Sequence, residues 1–382
     1  MKIMNYGIKD IKEDMLDGFV RKQESTRIMK YEGNHVIIED FYYFNEWNHK
    51  KLNKKVIEFR KIVECGGNLI VAYDEIKDKV AGFSTLEAKF IDDERKIIEM
   101  QYLHVSSEYR AKGLGKRLFS ETRLLARKRG AEKIIIGTIP AIETQNFYEK
   151  MGCQILYDLN DVLKKREPDE IQRITDVYPN VILASKSPRR KELLGRIFNR
   201  FDIMTGVEHD IEKCKPTEYV MKLAKGKAES VVEKLKEKNC VDTLVIGSDT
   251  VVVVDNEILG KPKDENQAEK MLNKLSARIH CVYTGVSFIY INGDGNEIKW
   301  SRSFYEKTEV KFSNIDKNEI KDYICQENVM DKAGAYSIQG IAGKFIECIS
   351  GDYYNVMGLP LSKVYKELKS ELFQTTVSRN HD

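Results

Sequence analysis

The sequence predicts a mixed α/β protein of two successive domains, α+β in its first half and α/β in its second. Three observations carry that expectation. The chain has 382 residues, against about 100–200 for an average domain. Residues 68–105 alternate apolar runs with short polar turns, which reads as an antiparallel meander. Residues 181–190, VILASKSPRR, read as a buried strand turning directly into a helix. Pro179 and Asn180 supply a turn just ahead of that strand. The boundary is therefore placed near Tyr178, with domains over 1–177 and 178–370 and a loose tail over 371–382.

Composition narrows the class. With 42% hydrophobic and 32% charged residues the chain reads as ordinary soluble protein. A formal net charge of +3 argues against a general polyanion binder, so no specific nucleic acid is expected. No apolar run approaches about 18 residues, so no membrane span is expected. The start, MKIMNYGIKDIKED, lacks the apolar core of a signal peptide. Seven scattered cysteines without a CxxC pair suit reduced thiols in the cytoplasm, not a disulfide framework or a zinc site.

In the first half, residues up to about Lys61 alternate short helical patterns with aromatic stretches such as FYYFNEW, and read as ordinary core, with the cover of an acceptor pocket as the alternative. Three strands follow: NLIVAY, KVAGFSTLEA and KIIEMQYLHV, the last ending at Val105. Glu99, on the third strand, reads as a cross-strand surface charge with a general base as the alternative. Then comes Arg110-Ala111-Lys112-Gly113-Leu114-Gly115-Lys116, entered by a strand and left by a helix with Leu114, Leu118 and Leu125 at helical spacing. Two glycines admit a pyrophosphate close to backbone N–H groups, and a helix start favours its charge. A helix-start turn under a solvated basic face is the plainer reading of the same residues. Another strand, EKIIIGT, precedes FYEKMGC, which contains Tyr148. KKRE (164–167) reads as a solvated turn, and DEIQRITDV as the last strand of this domain.

The pair of motifs, R-x-x-G-x-G then FYEK-x-G, resembles the GNAT acetyltransferases over about 68–153. The resemblance implies a mixed, mostly antiparallel sheet with flanking helices, acetyl-CoA as donor and an amine acceptor of unknown identity. Val105, Arg110, Lys112, Gly113, Gly115 and Lys116 would hold the coenzyme, and Tyr148 would be the general acid for the leaving thiolate. The family often carries an asparagine shortly before that tyrosine; here the stretch reads TIPAIETQ. A purely structural coenzyme-binding or dimerisation module is the alternative, and a homodimer stays open.

In the second half, Ser187 suits a helix N-cap and Pro188 its first position. Arg189 and Arg190 then oppose the helix dipole, a conflict that a bound anion would resolve. FDIMT reads as a second strand, with Glu212 beyond it. PTEYVMKLAKGKAESVVEKLKEK reads as a long helix capped by Thr217 and carrying Lys227, by itself one of many solvated lysines. In TLVIGSDTVVVV, Asp249 interrupts an apolar run, which is costly unless the carboxylate is paired, hydrated or metal-bound; a strand-end turn is the plainer account. Leu259-Gly260-Lys261-Pro262 suits a rigid loop. A helix (DENQAEKMLNKLS), a strand (IHCVYTGVSFIYI) and its hairpin partner beyond NGDG follow, then DKAGAYSIQG with Gln339, GDYYNVMGLPL, and a closing helix.

SPRR, GSDTVV, LGKP, DKAGAYSIQG and GDYYNVMGLPL, in this order, resemble the Maf family of nucleoside triphosphate pyrophosphatases over about 180–370. The resemblance implies an α/β fold with an elongated twisted sheet and a cleft, and hydrolysis of a nucleoside triphosphate to the monophosphate and pyrophosphate with Mg²⁺ or Mn²⁺. Ser187, Arg189, Arg190, Lys227, Thr250, Lys261 and Gln339 would bind substrate. Glu212 and Asp249 would hold the metal, or Asp249 would orient the attacking water. Thr250 after Asp249, with Gln339, resembles the branch acting on dTTP and UTP; the 7-methyl-GTP branch tends to carry glutamine and glutamate there. A nucleotide-responsive regulator is the alternative. The segment usually read as L-S-G-x-x-H is here Leu275-Ser276-Ala277-Arg278-Ile279-His280, with alanine in place of the glycine.

Overall fold

The computed structural model describes residues 1–207, 211–212, 214–235, 242–292 and 297–373. The chain divides into compact units spanning Met1–Pro179 and Asn180–Glu371.

In the first unit, β1 (Lys2–Tyr6), β4 (Asn68–Asp74), β5 (Lys79–Leu86) and β8 (Leu103–Val105) form an antiparallel sheet in that order. A second sheet runs β10 (Gln154–Ile155), β11 (Ile171–Asp176), β9 (Lys133–Thr138), β7 (Ile97–Glu99) and β6 (Phe90–Asp92); only β7 and β9 in it are parallel. Between β1 and β4 lie a hairpin, β2 (Lys22–Glu32) with β3 (His35–Glu46), and α1 (His49–Glu64), capped by Asn48. Helix α2 (Leu114–Lys128) serves both sheets: Leu114 and Leu118 pack on Ile70 and Ala81, while Phe119 and Ala126 pack on Ile98 and Ile134. Each large side chain so buried stabilises the unit by about 1.5–3 kcal/mol. Helices α3 (Ile142–Lys150) and α4 (Asp161–Arg166) complete it.

Three expectations for this half need correction. FYYFNEW is not core: it is strand β3 running into the loop before α1, and Phe41, Tyr42 and Phe44 are exposed on a two-stranded hairpin. KIIEMQYLHV is not one strand. Residues 97–99 pair with β9, residues 103–105 pair with β5, and the chain crosses between sheets at 100–102, where Met100 N donates to Ile135 O (3.0 Å) and Thr85 N to Tyr102 O (2.9 Å). Alternation shows that a segment is extended but not which neighbours it takes. KKRE is mostly helical, within and just beyond α4, because the Asn160 side chain caps the N–H groups of Val162 and Leu163.

The second unit is one sheet in the order β13 (Asp202–Ile203), β12 (Asn180–Leu183), β14 (Thr243–Val254), β16 (Ile279–Ile291), β17 (Ile298–Phe312) and β18 (Ile346–Ser350), with β15 (Glu257–Leu259) also paired to β14. Helix α5 (Pro188–Leu194) follows β12, capped by Ser187 as expected. Helix α6 (Pro216–Leu235) begins at its proline, so Thr217 lies in the first turn and is not the cap. Helices α7 (Glu265–Leu275), α8 (Lys317–Gln326), α9 (Tyr353–Met357) and α10 (Leu361–Phe373) follow, and α10 takes in the first residues expected of the tail. The NGDG turn falls largely outside the described residues.

Candidate functional site

Strand β14 organises the second unit. β12 accompanies it from Thr243 to Ile246, and β15 from Val252 to Val254. Between them, residues 247–251 have no described strand on that edge, which leaves a notch in the sheet. Chain leaving β12 enters Ser185–Arg190 at one border, and chain leaving β15 enters Gly260–Lys261 at the other. Asp249 and Thr250 lie inside the notch, in mid-strand and not at a strand-end turn, and by alternation they face opposite sides of the sheet.

On Asp249's side, α6 crosses the sheet in close contact. A methyl group on Gly247 would collide with the Ala224 carbonyl, and one on Gly285 with the Val220 carbonyl. Only glycine allows this approach, and it sets Lys227 beside Asp249: Nζ donates to Oδ1 at 2.5 Å, with side chains 8% and 17% exposed. The costly carboxylate of the apolar run is thus paired.

On Thr250's side, Arg190 ties three segments together. Its Nη2 donates to Thr250 Oγ1 and its Nε to Gly358 O, both at 3.0 Å, and its Nη1 to Ser185 Oγ at 3.4 Å. Ser248 Oγ donates to the same Gly358 carbonyl, and Thr250 and Thr284 share a 2.9 Å hydroxyl contact. Asn355 on α9 donates to Val282 O and Thr308 Oγ1, so GDYYNVMGLPL buttresses the notch. Arg189 is half-buried and within electrostatic reach of Asp331 and Tyr323. Gly334 N donates to Gly260 O (3.0 Å), which joins the Lys261 loop to DKAGAY. Lys261 and Gln339 are exposed.

In the first unit, Gly113 caps α2 in a left-handed conformation (φ 79°) without a side-chain cap, leaving first-turn N–H groups for an anion. Gly115 serves packing: a Cβ there would stand 3.3 Å from the Phe147 ring and 3.8 Å from Val105. The glycine loop, Val105 and α3 with Tyr148 therefore converge. Arg110 is spent on backbone, donating to Val105 O and Lys22 O, and Lys112 donates to Glu108 O, while Lys116 is exposed. Burial pushes the Tyr148 hydroxyl well above its usual range, with Cys153 and Glu170 adding to the effect, so it stays protonated as an acid must. Gln145 bonds to Thr138, Ile139 O and Arg173, a structural role. Glu99 is buried and paired with Arg166, and is neither a surface charge nor a free base.

Residues 180–371 match the family described as Maf-like protein. The chain belongs to the Maf family. Residues 65–154 match the acetyltransferase (GNAT) domain. The Maf half is 47% identical over 190 residues to a dTTP/UTP pyrophosphatase of Clostridium novyi (49% of this chain, 94% of that protein), and 45% identical over 198 residues to one of Agathobacter rectalis (50% and 96%). Similar solved structures include nourseothricin acetyltransferase (13% identity, TM-score 0.34, 46% of this chain and 98% of that one) and aminoglycoside 6'-acetyltransferase type Ii (18%, 0.32, 47% and 99%).

Glu212 is exposed, and among the described residues no cluster of three or more carboxylate, histidine or cysteine side chains forms. Asp249, already held by Lys227, is the carboxylate inside the notch. Among the described residues Asp249 is thus the carboxylate placed to meet an ion that arrives on substrate phosphates and keeps its waters.

Two residues escaped the sequence reading. Lys332 is buried, with Asp331 Oδ1 at 3.0 Å and Glu327 Oε1 at 3.6 Å; its place inside DKAG was the available signal. Glu170 precedes β11, and nothing local marks it.

Proposed function

We propose that the Maf half hydrolyses nucleoside triphosphates, dTTP and UTP foremost, to the monophosphate and pyrophosphate. The observation that carries this is the notch in β14, where Asp249 is held by Lys227 and bordered by the SPRR and LGKP segments. The substrate is the Mg²⁺ or Mn²⁺ complex of the triphosphate. Asp249 takes a proton from water as the oxygen attacks the α-phosphorus, the α–β bridging bond breaks, and pyrophosphate leaves. Arg189, Lys227 and Lys261 stabilise the charge on the phosphates. The similarity to proteins named dTTP/UTP pyrophosphatase supports the choice of base, as does Thr250, which Arg190 and Thr284 hold in place. The test is pyrophosphate release across the common triphosphates and 7-methyl-GTP; faster turnover of 7-methyl-GTP than of UTP sinks the assignment.

We further propose that the GNAT half transfers acetyl from acetyl-CoA to an amine. The coenzyme pyrophosphate would sit on the first turn of α2, with Tyr148 protonating the departing thiolate. The crossing at 100–102 separates the two sheets and supports this reading, since strands that part leave backbone groups for the amides of the coenzyme arm. Calorimetric titration with acetyl-CoA tests it, and absence of binding returns the half to a structural module.

A further inference from the structure

We infer that Glu327 is a positioning residue for the nucleotide: it anchors the turn that presents Gln339, and through it sets how tightly the triphosphate binds. The inference rests on the pyrophosphatase reading above and deepens it.

Gln339 stands third in the turn over 337–340, which the Gly340 N–H closes on Ser337 O at 3.1 Å. Its side chain is exposed, and among the described residues no hydrogen bond reaches it. The amide is therefore unspent, with donors and an acceptor left for a ligand. Its direction is set by the backbone beneath it, and one turn bond is a weak restraint on four residues.

Glu327 supplies the stronger restraint. It caps the C-terminus of α8, where its N–H donates to Tyr323 O at 3.0 Å. Its Oε2 accepts from the Ile341 N–H at 2.9 Å, one residue past the turn. An ionised acceptor makes this bond stronger than a neutral one would. The same carboxylate lies along Gly340 so closely that a methyl group there would collide with both of its oxygens. Gly340 has φ −94°, a value open to any residue. The glycine is thus required by the carboxylate and not by the backbone conformation. Lys332 Nζ, 3.6 Å from Oε1 and 3.0 Å from Asp331 Oδ1, balances the charge of a carboxylate that is 17% exposed.

The earlier part of the loop is held by other bonds. Gly334 N donates to Gly260 O at 3.0 Å, and the buried Tyr323 hydroxyl to Ala335 O at 3.3 Å. Asp249 and Lys227 stand on β14 and α6 and pair with each other. Loss of Glu327 should therefore release the turn under Gln339 while the groups that act on the phosphates keep their places. Such a change weakens ground state and transition state alike, so it appears in KM and not in kcat.

The test follows pyrophosphate release by the full chain from dTTP and UTP with Mg²⁺, at a temperature where each variant is folded by circular dichroism. Glu327→Ala should raise KM about tenfold, the size of one lost hydrogen bond to substrate, with kcat within threefold. Glu327→Gln, whose side-chain oxygen can still accept from Ile341, should recover most of the KM. Gln339→Ala should raise KM to a similar extent, and the double variant should be no worse than the worse single one, because both remove the same contact. Gly340→Ala displaces the carboxylate without removing it and should raise KM in the same direction; it carries the test if Glu327→Ala does not fold. The inference is overturned by KM within threefold of wild type in the folded Glu327→Ala or Gly340→Ala enzyme, whatever its melting temperature. Gln339→Ala with unchanged KM, or a double variant whose KM rises by the product of the single effects, overturns it as well. A wild type that releases no pyrophosphate from any common triphosphate instead overturns the pyrophosphatase reading, and this inference with it.

Discussion

In the Maf half, the side chains at the notch are tied before any substrate arrives: Asp249 to Lys227, and Arg190 to Ser185, Thr250 and Gly358. In the GNAT half, Tyr148 and Glu170 lie within electrostatic reach of each other, and no described hydrogen bond reaches either side chain. A tied site is already in its working geometry, so its interactions with a developing charge need little reorganisation. It must, however, share its cations with the incoming phosphates. An open site spends nothing on internal ties and draws its titration behaviour from burial. One half should therefore respond to mutation through geometry and stability, the other through its pH profile.

The largest expected effect sits at the tie itself. Asp249→Asn keeps the shape and removes the charge, and should slow pyrophosphate release about 10²–10⁴-fold, the range for a lost general base. Lys227→Met leaves the same half-buried carboxylate without that partner, and should destabilise the Maf half by about 1–3 kcal/mol in urea unfolding. If both variants keep activity within threefold and melt normally, the tie is incidental and the contrast between the halves fails.

These ties also show what could be read in the sequence. SPRR, GSDTVV and LGKP are contiguous segments, each with its chemistry written locally, and the cap at Ser187 and the strand around Asp249 form where those residues require. What could not be read depends on partners distant in the chain. The notch exists because β12 pairs with β14 only as far as Ile246 and β15 only from Val252 onward, which no local pattern records. The break in KIIEMQYLHV depends on β5 and β9 competing for one run. Glu170 acquires its surroundings from α1, α3, α4 and β7, so its residue type alone says nothing. Lys227 was legible only through the resemblance, because what sets it apart from other lysines is the close crossing of α6 over Gly247 and Gly285.

His280 tests the tied half by acidity. It is buried, its Nε2 is 2.8 Å from the Tyr336 hydroxyl, and burial holds its pKa down to about 4. The unfolded state, with an ordinary value near 6.5, takes up a proton first as pH falls. The stability contribution is therefore complete above about 6.5 and lost progressively down to about 4, a change on the order of 3 kcal/mol. Urea unfolding of the Maf half at pH 7.5 and 4.5 should show this slope, and His280→Gln should flatten it. An unchanged slope in the variant would assign the acid sensitivity to other groups.

Arg190 sharpens the comparison with a smaller effect. Lysine there keeps the charge but cannot supply three donors in a fixed fork. Arg190→Lys should cost about 1–3 kcal/mol of stability, since one ammonium cannot reach the half-buried Thr250 hydroxyl, the buried Gly358 carbonyl and Ser185 together, and acceptors are left without a donor. A variant as stable as wild type would mean that these bonds do not hold the notch together.

The smallest effect belongs to Ala277. The related motif carries glycine there, and the structure shows why: Ala277 has φ +56°, the left-handed region, while its N–H donates to Ser313 O at 2.9 Å. The loop keeps the conformation that glycine would adopt freely and strains the alanine instead. The residue is exposed, so its methyl group contributes no core packing. Glycine raises the entropy of the unfolded chain but removes a penalty of about 1–2 kcal/mol in the folded one. Ala277→Gly should therefore stabilise the Maf half by about 1 kcal/mol or less, raising its Tm by about 2–4 °C, with pyrophosphate release unchanged. A lower Tm would show that the strained turn is relieved elsewhere in the loop, and that a tie in this half can absorb a substitution the backbone geometry disfavours.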